Sequence, residues 1–208
     1  MGITRNPEYV VWERSDPLTT LLCYMREGPL LKATAEGRSL APAPYQWADI
    51  EYRVIDPNEV KPTATYVLRR NLQNIAELGA ELAGNGFDIF DLLGAVRIRE
   101  DEFIIPPVLE VWNELPYLGV LVVVDGGHRL WKARELGVEV GCVVISGHID
   151  SMLPVLPLDG WSDVTVCDQV PITKRHYAQI PKPYVPSDSY RVGIPGSTGI
   201  RQVGARSN

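Results

Sequence analysis

Residues Leu121–Gly137 read LVVVDGGHRLWKARELG, and the fold turns on this stretch. Four apolar residues lead into Asp125, Gly126, Gly127, His128 and Arg129, and helical spacing begins at once. Val122, Val123 and Val124 are β-branched and suit a buried strand. Leu130, Ala133 and Leu136 then form one helical face, Lys132, Arg134 and Glu135 the wet side, and Gly137 a C-terminal stop. A strand therefore delivers a two-glycine turn to a helix N-terminus, where free N–H groups carry partial positive charge. That arrangement suits an anion such as nucleotide phosphate. Gly126 and Gly127 let a ligand approach the backbone. Arg129 offers a planar fork for phosphate oxygens, and His128 a donor or a proton near neutral pH. Asp125 can hold a metal ion, orient His128 or accept a hydroxyl proton. The simpler reading is a chain turn, with Asp125 a helix cap and Arg129 a surface charge. Two glycines crowded with three reactive polar groups favour a site.

Outward from the box, Val138–Ile145 (VEVGCVVI) reads as another buried strand. Leu68–Gly86 carries a helical stripe of Leu72, Ile75, Ala76, Leu78 and Leu82. Tyr52–Thr63 reads as a strand with a Pro-bounded turn, and Phe103–Trp112 as a strand around a Pro106–Pro107 kink. Arg99–Glu102 suits a hairpin or loop. Nearer the N-terminus, a helix is expected over Pro17–Arg26, capped by Ser15 or Asp16, then a loop from Glu36 to Tyr45. The expected architecture is α+β, a compact mixed sheet with flanking helices. Residues 1–49 form an extension packed on a core of 50–170, and 171–208 a Pro/Gly-rich arm.

The box resembles the phosphate-binding box of the ParB/sulfiredoxin superfamily, where a strand enters Gly-x-His/Arg-Arg and a helix follows that ends in Leu-Gly. Asp125–Arg129, Ala133 and Leu136–Gly137 are the matching residues. The Asp-Gly-x-His-Arg form is closer to the free-serine kinases than to the partition proteins. Sulfiredoxins carry a catalytic Cys before the His-Arg pair; Gly127 stands here, which argues against sulfinic-acid repair. The resemblance spans about residues 50–146. It implies ATP or ADP (or CTP) held by Gly126, Gly127, His128 and Arg129, with Mg²⁺ on Asp125. It also implies phosphoryl transfer to a small hydroxylated metabolite such as an amino acid, with Asp125 and His128 catalytic. The kinases' glutamate after the first strand has no counterpart in Lys61-Pro62-Thr63-Ala64, so Asp125 would work alone or with an acid from elsewhere.

The chain of 208 residues is 45 % apolar, enough for one substantial core, and carries net charge −6. That charge argues against a dedicated DNA-binding protein, as does the lack of a helix-turn-helix pattern after the box. Residues 171–208 hold six Lys/Arg against Asp188 alone, so the arm is basic on an acidic body. Cys23, Cys142 and Cys167 form no Cys-x-x-Cys pair, so neither zinc nor a disulfide framework is expected, and each reads as a small buried hydrophobe. With no apolar leader and no apolar run of spanning length, the expectation is a cytoplasmic protein without a membrane segment. Two further clusters carry chemistry. His148 and Asp150 follow the last strand, and Lys174 and Arg175 open the arm; each pair is a candidate substrate contact, against readings as a polar turn and a solvated basic patch. Trp131 is a base-stacking or anchoring residue. Three functions emerge: a nucleotide-using phosphotransferase, a ParB-like module switched by nucleotide or associated with DNA, and a nuclease built on Asp125, His128, His148 and Asp150.

Overall fold

The computed structural model describes residues 10–11, 30–34, 37–41, 45, 47–94, 96–99, 102–113, 115–147 and 155–177. Its centre is a five-stranded mixed sheet: β1 (Asp49–Ile55), β2 (Val60–Lys61), β3 (Val108–Trp112), β4 (Val120–Asp125) and β5 (Val140–Ser146), in spatial order β1-β5-β3-β4-β2. β5 runs antiparallel to β1 and parallel to β3; β4 runs antiparallel to β3 and parallel to β2. Among the described residues two α-helices accompany it, α1 (Arg69–Gly84) and α2 (Gly127–Leu136). The α+β expectation therefore holds.

The pleat divides the core. Ile55, Leu109, Val123, Val140, Cys142 and Val144 face the helices and meet Leu72, Leu130 and Ala133. Ile50, Val108, Trp112, Val122, Val124, Val143 and Ile145 form the opposite core with Tyr45 and Ala48. The other side of α1 packs Ile75, Leu78 and Leu82 on Ile89, Leu92, Val96 and Ile104. Ala76 of the predicted stripe is exposed.

An acid lies within this core. Glu110, on the central strand, is wholly buried and accepts a 2.5 Å hydrogen bond from Tyr45 Oη. Tyr45→Phe is expected to lower stability by about 1–3 kcal/mol, read by urea titration, because a buried acid side chain loses a hydrogen-bond donor.

Several expectations shift in detail. Pro106–Pro107 does not kink one strand but separates Glu102–Ile104 from β3, since proline cannot donate to a ladder. Val96–Arg99 and Glu102–Ile104 pair antiparallel, as a hairpin requires. The expected Glu36–Tyr45 loop contains a strand, Gly37–Ala41, paired with Leu30–Thr34. Pairing satisfies a backbone whose composition suggested a loop. Leu136 is 55 % exposed, and Arg129 takes a place in the buried stripe of α2 beside Leu130 and Ala133. The start of the arm belongs to the fold: His176–Tyr177 pairs with Val155–Leu156, and Thr65 N–H and Oγ1 donate to the carbonyls of Lys174 and Thr173. The expected helix Pro17–Arg26 lies outside the described residues.

Candidate functional site: a corner where two helices begin

Strands β2 and β4 run parallel as neighbours; β4 leads directly into α2, whereas the chain after β2 passes through a short strand, Tyr66–Leu68, paired parallel with Thr165–Cys167, before α1 begins. Between Val123 and Asp125 the β4–β3 register slips, a bulge that re-aims the end of β4. Thr63, 2 % exposed, donates from Oγ1 to the Val123 carbonyl at 3.0 Å and ties the end of β2 to this bulge.

Gly126 follows with φ +82° and serves as N-cap of α2. A Cβ there would lie 2.8 Å from Pro107 Cα, so both dihedral and space demand glycine. Its carbonyl accepts from the N–H groups of Arg129 and Leu130 at 2.9 and 3.0 Å and starts the helix. The N-cap residue of α2 offers no capping side chain, and no acid occupies its first turn. The same holds for α1, whose N-cap is Leu68. The two positive helix ends are joined directly: Leu68 N–H donates to His128 Nε2 at 3.0 Å, and Asn71 Nδ2 lies 3.3 Å from the same nitrogen.

Two predicted ligands are thus placed differently from expectation. Arg129 does not present its fork to solvent. It is 3 % exposed, and Nη2 donates to the Ile105 carbonyl, just ahead of the Pro106–Pro107 turn against which Gly126 packs. Its guanidinium sits within the core and not in open solvent as expected. His128 is half-buried with Nε2 engaged by Leu68, so it does not stand as an open proton carrier. Burial lowers its pKa, partly opposed by the negative charge of Asp125. The expected pH effect has a definite sign. The unfolded imidazole takes a proton near pH 6.5 and the folded one only at lower pH, so unfolding binds protons. Stability contributed by neutral His128 is complete above about pH 6.5 and declines as pH falls toward the folded value. Urea midpoints measured from pH 7.5 to 5 in wild type and His128→Gln check this; the variant should show the shallower decline.

Asp125 and Gly127 are half-buried at the turn. A Cβ at Gly127 would meet only Val123 Cγ1, at an ordinary 3.8 Å, so Gly127 is not demanded by packing. Among the described residues no group of three or more His, Cys, Asp or Glu forms a metal cluster. Asp125 supplies one carboxylate, which serves Mg²⁺ only where phosphate oxygens and water complete the shell. Lys174 and Arg175 start a segment held against Thr65, in the loop that follows β2 at the corner. Arg175 Nη1 is buried without a hydrogen-bond partner among the described residues. His148 and Asp150 lie outside those residues; Gly147, the last placed before them, leaves β5 at the end of the sheet where β4 begins, opposite the box.

Trp131 is an anchor: it meets Trp161 edge-on at 5.9 Å, under the Arg134 guanidinium, while Trp161 Nε1 donates to the Pro57 carbonyl at 2.6 Å. Burial pushes the Cys142 thiol up to about 12, against the opposing charge of Arg129, which makes it an inert core residue. Thr63, Asn71 and the Pro107 seat join the corner only through contacts distant in sequence. The run Pro106–Pro107 directly before an apolar strand was the available signal for the last.

A model of the ParB CE domain matches residues 31–164, more than half of the chain. The chain belongs to this family, in keeping with the resemblance of its box and its mixed sheet. No curated protein and no solved structure matches it. Among the described residues no helix is long and apolar enough to cross a membrane.

Proposed function

We infer that the corner binds the phosphates of a nucleotide, and that the protein is a ParB-like module governed by this occupancy. The observation that carries the reading is the junction of two helix N-termini, α1 and α2, whose N-cap residues Leu68 and Gly126 offer no capping side chain and whose first turns hold no acid. Each end contributes about half a positive charge and outward N–H groups. Arg69 and Arg70 on α1 and Lys174 on the arm add exposed positive charge nearby; Arg69 also pairs with Asp168 at 2.8 Å. Affinity then comes from backbone amides and peripheral cations rather than from Arg129.

Phosphoryl transfer to a small hydroxylated acceptor is the more demanding function. Asp125 is the group to take the hydroxyl proton or hold Mg²⁺, and His128 and Arg129 are already committed to Leu68 and Ile105. This commitment favours binding over catalysis. Calorimetric titration with ATP, ADP, CTP and pyrophosphate, with and without Mg²⁺, tests the reading. Uptake of di- and triphosphates but not of nucleosides is the expected result. No uptake of any of them overturns it. Phosphate appearing on a panel of hydroxylated metabolites would restore the transferase.

A further inference from the structure

His128 is the only side chain seen to bridge the starts of α1 and α2 through a backbone N–H, among the described residues. The chemistry of that bridge fixes the state of the ring. Leu68 N–H can only donate, so Nε2 must offer its lone pair. Asn71 Nδ2, the second group near Nε2, is also a donor. A neutral ring in this place therefore carries its proton on Nδ1. A proton on Nε2 would set donor against donor in a half-buried setting.

We propose that His128 is a positioning residue, fixed as the Nδ1–H tautomer, whose link to Leu68 transmits anion occupancy at the start of α2 to the start of α1. The second half of this statement rests on the phosphate reading above; the first rests on geometry alone. The groups around the ring are the Leu68 amide and the Asn71 carboxamide from the α1 side, and the Asp125 carboxylate from the end of β4. Leu68 is 5 % exposed and is the N-cap of α1, with no side-chain cap of its own. His128 thus supplies from α2 the acceptor that an ordinary N-cap region provides locally. The α1 N-terminus cannot shift away from the box without breaking this bond. An anion that orders the first turn of α2 orders His128 with it, and the Leu68 amide reports the result.

The test uses the full chain. Long-range ¹H–¹⁵N spectra at pH 7.5 read the tautomer of each of the three histidines, and loss of a signal in His128→Gln assigns His128. Nδ1 protonated with Nε2 bare is expected; Nε2 protonated overturns the proposal. Hydrogen exchange of the Leu68 amide follows. His128→Phe, which has no acceptor, should exchange about tenfold faster than wild type, whereas His128→Gln, whose carbonyl reaches a similar point, should stay within about threefold. Equal exchange in wild type and the Phe variant overturns the tie. If the Phe variant does not fold, the wild-type tautomer and the Gln variant still decide. Saturating pyrophosphate should slow Leu68 exchange in wild type and in His128→Gln. Pyrophosphate uptake seen by calorimetry with Leu68 unchanged overturns the transmission and leaves the phosphate reading standing. Absence of uptake overturns the phosphate reading, and with it transmission, while tautomer and exchange still judge the tie.

Discussion

Gly127→Glu abolishes pyrophosphate and ATP binding while leaving the fold at least as stable as wild type. The two halves of this expectation have separate causes. The position has room, since a Cβ meets only Val123 Cγ1 at 3.8 Å, and its backbone is helical. Replacing glycine within a helix recovers about 0.5–1 kcal/mol of chain entropy. A carboxylate in the first turn adds a favourable interaction with the helix dipole, about 0.3–1 kcal/mol. The same carboxylate occupies the field that would hold phosphate and repels it. At about 4 Å and an effective dielectric near 20, that repulsion is about 4 kcal/mol, some three decades in affinity before salt screening. Calorimetric titration with pyrophosphate and urea melts of the same preparation check both halves together. Undiminished binding would move the anion site away from α2; lost binding with lost stability would show only damage to the turn.

Gly126→Ala is expected to destabilise the protein by about 3 kcal/mol. The N-cap has φ +82°, where an L side chain costs about 1–2 kcal/mol. The added methyl would press on Pro107, 2.6 Å from Cβ and 2.8 Å from Cα. Overpacking of this kind costs about 1–3 kcal/mol. Relief is restricted, because the Pro107 carbonyl accepts from Val143 N–H at 2.8 Å and Arg129 holds the preceding Ile105 carbonyl. The urea midpoint checks this, with Gly127→Ala as the control, for which no comparable loss is expected. Similar losses in the two variants would mean that Pro107 yields.

The neighbouring glycines show how far a sequence can be read. Both looked alike as permissive turn residues. Only the contact with Pro107, nineteen positions earlier in the chain, separates the one that packing requires from the one that leaves room. His128 and Arg129 differ in the same way. Their types announced affinity for anions, but where each side chain ends depends on Leu68 and Ile105, which belong to other elements. Leu136 followed the helical spacing of the stripe and still faces water, because periodicity gives a direction around the axis and not the extent of what covers it.

The order of strand, glycine turn and helix at 121–137, the stripe of α1 and the strand after Gly137 were legible in the chain alone, because each rests on local stereochemistry and periodicity. Membership of the ParB group was legible for the same reason, since its box is contiguous. Tertiary structure decided the rest: the seat of Gly126 on Pro107, the burial of Arg129, the meeting of two helix starts at His128, and the return of Thr173 and Lys174 to Thr65. These are contacts between residues far apart in sequence. Their free energy exists only once the sheet has brought β2 and β4 side by side, and no local pattern encodes it.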